Sequence, residues 1–149
     1  MFIINFLILA PKKVASYFEW AGPLVARLVV GYVFMLTGFT KLQNLDVMIE
    51  NFTDWGIPFP HFTTPFVSGI ECFGGLFLML GFMTRIFGGA LSIVMIVAII
   101  SAKLADIDSL ETLFGFEEAI YFALFTWLAI CGAGKASIDY LVERKFSKK

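Results

Sequence analysis

Charge is scarce in this chain. Of 149 residues only 15% are charged, while 59% are hydrophobic and 17% aromatic. A soluble domain carries about 25% charged and about 45–50% apolar residues. It must also cover most of its surface with polar groups, and 11 basic plus 12 acidic side chains are too few for that. The shortage excludes an ordinary soluble enzyme and a disordered segment. The net charge of −1 lacks the basic excess that phosphate backbones demand, so nucleic acid is excluded as a partner.

Histidine and cysteine are nearly absent too. The one histidine, His61, falls in a loop, so a bis-histidine haem between helices is excluded and no metal-ligand cluster appears. The two cysteines, Cys72 and Cys131, form no CxxC and read as small buried hydrophobes. Cys72 falls near mid-membrane and Cys131 roughly 10 Å to the inner side, too far apart for the ~7 Å Cα limit of a disulfide. That argues against a thiol-oxidising, quinone-reducing enzyme. No Ser-His pair, phosphate loop or nucleotide fingerprint is present.

What is present is apolar length. Four stretches approach the ~20 residues needed to cross ~30 Å of hydrocarbon. They run over about 20–42, 65–83, 86–104 and 116–133. Pro58, Pro60 and Pro65 punctuate the approach to the second, Thr84-Arg85 separates second from third, and Gly132-Ala-Gly134 closes the fourth. No period-2 alternation appears, so these are helices rather than barrel strands. The expected fold is all-α, an integral membrane four-helix bundle forming a single domain over 1–149.

Residues 1–19 read as an N-terminal interfacial arm. Phe2–Ala10 is too short to span and has no positive residue ahead of it, unlike a secretory signal. Between the first two spans, Leu45, Met48, Ile49, Phe52 and Trp55 recur at helical spacing, predicting an amphipathic helix on the outer surface. Residues 134–149 form a basic tail. Lys12, Lys13, Arg85, Lys135, Arg144, Lys145, Lys148 and Lys149 fall on one side of a four-span chain, and only Lys41 and Lys103 on the other. The positive-inside rule then places both termini in the cytoplasm.

Ionisable residues inside spans are costly and mark candidate sites. Arg27, Glu71, Glu117 and Glu118 qualify, with Lys41 and Lys103 near span ends. Arg27 falls roughly 6 Å to the inner side of its span's centre, and Glu71 roughly 4–5 Å to the outer side. Lys41 reaches the level of Glu117 and Glu118. Helical side chains lean toward the helix N-terminus, so Arg27 and Glu71 lean apart and a direct bond between them is not favoured. Arg27, Gly31, Phe34, Gly38 and Lys41 step by 4, 3, 4, 3, and Ser68, Glu71, Gly75, Leu78 and Phe82 by 3, 4, 3, 4. Both are seams of the left-handed bundle type, in which Gly31, Gly38, Gly74 and Gly75 permit close helix approach.

These residues resemble the DoxX-like family of small bacterial four-helix membrane proteins. The likeness is carried by Arg27–Gly31 with Phe34, Gly38 and Lys41-Leu42, then by Gly56-Ile-Pro-Phe-Pro60. It continues through Glu71-Cys-Phe-Gly-Gly75 with Leu80-Gly81 and Thr84-Arg85. It ends in Gly115-Phe-Glu117 and Gly132-Ala-Gly-Lys-Ala-Ser-Ile-Asp139. It covers about residues 20–142. Ala133 stands where the family usually has proline, and the doubled Glu117-Glu118 obscures which glutamate corresponds, Glu117 fitting better. The resemblance singles out Gly81, Arg85, Gly132, Gly134, Ser137 and Asp139 as motif residues. It implies a bacterial inner-membrane protein, an accessory of a quinone- or sulfur-linked redox complex rather than a self-sufficient enzyme.

Three functional readings follow. In the first, a polar cluster of Arg27, Lys41, Glu71 and Glu117 or Glu118 holds a quinone head group or relays protons; no other cofactor is expected. In the second, the charges fix helix register and the chain is a structural or assembly subunit, its 18 phenylalanines facing lipid and neighbouring subunits. In the third it carries a small solute, against which stand the narrow bundle and the absence of an inverted repeat.

Overall fold

The computed structural model of the chain describes residue 7 and residues 9–147. Regular structure among them is helical throughout. In chain order the helices are α1 (Ala10–Tyr17), α2 (Ala21–Gln43), α3 (Leu45–Asp54), α4 (Pro60–Leu80), α5 (Thr84–Ala98), α6 (Leu110–Gly115), α7 (Glu117–Cys131) and α8 (Ile138–Phe146). α5 continues through a π-helical turn at Ile99–Lys103 and a 3-10 turn at Leu104–Asp106. Three helical stretches are long and apolar enough to cross a membrane: α2, α4 and Thr84–Asp106. The fourth apolar helix is shorter than its sequence suggests. The extended backbone of Phe116 delays its start, and Gly132 at φ 83° ends it. Its 15 residues rise only about 22 Å.

Local chemistry accounts for the other boundaries. α4 begins five residues ahead of its expected start because Pro60 sits in the first turn, where a missing N–H costs nothing. Pro65 lies inside the helix rather than before it. α4 stops at Leu80 because Gly81 turns left-handed (φ 66°), sending its N–H to Leu78 O (3.0 Å) and that of Phe82 to Phe77 O (2.9 Å). This is a Schellman-type ending, for which glycine is the natural residue. α6 opens on Ser109 and α8 on Ser137, whose hydroxyls accept from Thr112 N and Tyr140 N.

α2 packs chiefly on α4, α5 on α7, and α4 on α5. Val30, Phe34, Leu78, Leu91, Phe125 and Leu128 form the centre. Phe34 sets its ring edge-on to Phe125 (4.7 Å) and Tyr121 (5.0 Å). The interior is otherwise unusually polar, since Arg27, Thr64, Ser68, Glu71 and Thr84 are buried. Apolar side chains face outward instead: Val25, Tyr32 and Phe39 on α2, Phe66, Phe73 and Leu80 on α4, and Ile86, Ile93 and Ile100 along α5 and its extension. Each trio repeats every seven residues. A polar inside with an apolar outside is the arrangement lipid favours, and the molecule is a membrane helical bundle.

The amphipathic segment between the first two spans is the helix α3. It rests on α4 with Phe52 buried. Trp55, expected on the same face, is 41% exposed. Of the N-terminal arm, residues 1–6 and 8 lie outside the described residues, and 10–17 is helical. Of the tail, 148–149 lie outside them, and α8 is a helix the sequence reading did not anticipate. Both cysteines are free, and Cys131 is exposed rather than buried.

Candidate functional site

The α2–α4 seam is what allows charge into the bundle. A Cβ on Gly31 would stand 2.6 Å from Gly75 O, and one on Gly38 2.7 Å from Ser68 O. The backbones therefore touch at both glycines, and the residues between them meet across the seam without lipid. Gly74 faces the other way, toward Phe87 and Leu91 of α5.

One turn beyond Gly38, Lys41 meets Glu71. Its Nζ donates to Oε1 at 2.8 Å and lies 2.7 Å from Oε2. The second approach is close but poorly directed, so Oε2 stays buried without a hydrogen-bond partner. Glu71 is 2% exposed, whereas the Lys41 side chain is 27% exposed. On the same face of α4, Ser68 donates to Thr64 O (2.8 Å), and the buried Thr64 hydroxyl lacks a partner. The result is a carboxylate enclosed by protein, held by one cation that keeps an edge to the outside.

Arg27 belongs to a different construction at the other end of α2, about 21 Å away along the helix. The side chain is fully buried. Nη1 donates to Leu78 O (3.3 Å) and Nη2 to Ala136 O (2.6 Å). The 132–139 segment folds across the helix ends and encloses it. Gly81 is essential there, because a Cβ would collide with the guanidinium and with Ser137. Asp139 accepts from Met83 N (2.7 Å) and Thr84 N (2.9 Å), capping α5 from a distant part of the chain, while its own N–H goes to Gly81 O (2.9 Å). Ser137 donates to Gly134 O (2.6 Å). Arg85 donates through Nη1 to the carbonyls of Ala129 (3.3 Å) and Ile130, and its guanidinium overlies Gly132.

The expected single cluster therefore divides. Lys41 and Glu71 pair, and Arg27 stands apart with Gly81, Ser137 and Asp139. Glu118, not Glu117, turns inward: Lys103 Nζ lies 3.6 Å from its Oε1 and 5.0 Å from the Phe116 ring centre, while Glu117 is exposed. α7 starts only at Glu117, which orients the two adjacent glutamates about 100° apart. The sequence reading missed the Ser92–Thr126 hydrogen bond (2.8 Å) between α5 and α7. Two hydroxyls within apolar stretches were the available signal.

The enclosed Arg27 and the Lys41–Glu71 pair thus stand at opposite ends of α2. The family model for DoxX matches residues 22–104. This chain belongs to the DoxX family. The Bacillus subtilis (strain 168) protein named "Putative oxidoreductase CatD" is 31% identical over 123 residues, 81% of this chain and 87% of that protein. The Escherichia coli (strain K12) "Inner membrane protein YqjF" is 29% identical over 131 residues, 86% of this chain and 97% of that one. No solved structure gives a significant match. The matched DoxX span holds Arg27, Lys41, Glu71, Gly81 and Arg85, and the partners of Arg27 and Arg85 at 129–139 lie beyond it.

Proposed function

We propose that this DoxX-family protein is an accessory subunit of a redox complex in the bacterial inner membrane, with both termini in the cytoplasm. The observation that carries the reading is Glu71: a carboxylate enclosed within a span, whose one charged partner among the described residues is Lys41, close to both of its oxygens. Such a group is costly to keep in a bundle, and it suits holding and passing a proton at that depth. The relatives' names, an oxidoreductase and an inner membrane protein, agree with the setting. The clustering of Lys12, Lys13, Arg85, Lys135, Arg144 and Lys145 on one side supports the orientation.

A quinone head group does not fit between α2 and α4. The backbones meet at Gly38 and Gly75 and leave no slot for a ring. Of the Lys41–Glu71 pair, Lys41 is the member with an exposed edge. The chain's own part is to hold a proton on Glu71 with Lys41 beside it.

Glu71→Gln tests this, because it keeps the shape and removes the charge. In membranes where the chain is co-purified with its complex, the variant should assemble normally and lose most of its proton-coupled electron transfer. Normal assembly with unchanged turnover would remove the proposal. A second reading, a structural subunit, is favoured by the exposed stacked pair Phe62–Phe66 (5.9 Å) beside the outward heptads. Retained assembly together with unchanged turnover in Glu71→Gln would support it.

A further inference from the structure

A cavity of about 550 Å³ opens where the α4–α5 turn, the end of α7 and the start of α8 come together. We infer that it binds the phosphate group of a membrane lipid, with the lipid's apolar part lying along its outer wall. The inference goes beyond the redox reading and needs only the membrane setting.

Position is the first argument. The cavity lies at the ends of the apolar helices, the level at which a bilayer presents its head groups. α8, which forms one wall, is itself suited to that layer. It exposes Leu141 and Phe146 while carrying Arg144 and Lys145 in its last turn, the composition of a helix lying on a membrane surface.

Charge is the second. Arg85 and Lys135 line the cavity. Arg85 is held rigid by the two carbonyls bound to Nη1, and its Nε and Nη2 have no acceptor among the described residues. A guanidinium fixed in this way offers two parallel donors, the geometry that phosphate oxygens accept. Lys135 is exposed and takes part in no ion pair among the described residues. Of the two carboxylates in the wall, Asp139 already has both oxygens engaged by Met83 N and Thr84 N. Glu143 is exposed and its oxygens are free among the described residues, so of the two negative charges it opposes an anion with an uncommitted carboxylate, while the Asp139 charge is turned to the start of α5.

Apolar lining distinguishes lipid from free phosphate. The same cavity is also lined by Ile86, 61% exposed, and Val142, 44% exposed. A soluble phosphate would use only the cationic side chains, and an amphiphile uses these and the apolar ones.

The test uses the full chain in detergent, titrated with short-chain phosphatidylglycerol, inorganic phosphate and diacylglycerol, with bound ligand counted by native mass spectrometry. Lys135→Glu is the decisive variant because Lys135 makes no structural bond. Reversing its charge should weaken phosphatidylglycerol binding by about tenfold, and Glu143→Gln should tighten it several-fold. Binding unchanged in Lys135→Glu would overturn the proposal. Inorganic phosphate bound as tightly as the lipid would overturn the lipid source, and diacylglycerol bound as tightly would overturn the phosphate.

Discussion

Two glycines on one helix should respond to the same substitution with opposite sign. A Cβ on Gly75 would stand 3.0 Å from Met35 Cα, and nearer still to Met35 N and Gly31 O. All three are backbone atoms and cannot swing aside. Carbon pairs settle at about 3.5–4.0 Å, so Gly75→Ala must push α2 and α4 apart by something of order 1 Å. A gap of that size forfeits about a quarter to a half of the attraction of each contact it opens, and overpacking of this kind costs about 1–3 kcal/mol. The Lys41–Glu71 bond, one turn away at 2.8 Å, would stretch beyond the usual hydrogen-bond range of about 3.2 Å. Gly69, on the same helix, meets nothing within 4 Å. Gly69→Ala therefore gains helix propensity, up to about 1 kcal/mol, without a clash. The two variants should differ by about 2–4 kcal/mol in unfolding free energy, measured in one detergent against a common denaturant. Equal stability of Gly75→Ala and Gly69→Ala would refute the close approach and, with it, the enclosure of Glu71.

Asp139→Ala removes the acceptor of two N–H groups at the start of α5 and should cost about 1–2 kcal/mol; amide exchange at Met83 and Thr84 should accelerate, and unchanged exchange there would count against a remote cap. In the connection between α5 and α7, the Thr112 hydroxyl holds the exposed Asp108 carboxyl below its ordinary value, with backbone N–H groups and Ser109 assisting. Its contribution is complete above the unfolded carboxylate range and fades as pH falls through the lowered folded value. Thr112→Val should raise the Asp108 midpoint in a carboxyl NMR titration, and an unmoved midpoint would show that the hydroxyl is not the cause.

The seams were legible because a 4-3-4-3 step is a property of the sequence itself. Gly31, Gly38 and Gly75 occupy the contact that their spacing implies. The lean of helical side chains likewise separates Arg27 from Glu71 in the sequence, since that direction is set by the backbone. The partners of Arg27 were not legible. They are carbonyls of Leu78 and Ala136, and a carbonyl has no residue type to recognise. Asp139 was visible only as a motif residue, because a cap supplied from 55 positions away follows from chain topology rather than local pattern. α8 could have been found: Ser137 precedes it, Asp139 lies in its first turn, and Arg144 and Lys145 end it. The choice between Glu117 and Glu118 turned on where α7 begins, and boundaries are where sequence pattern is weakest.

The turn that buries Arg27 also orders the birth of the molecule. Ala136 follows Arg27 by 109 residues, so the arginine is made well before this partner. Until then the guanidinium can have only the earlier of its two carbonyl partners, Leu78 O. Docking of the 132–139 segment thus completes the arginine's shell and caps α5 in the same movement.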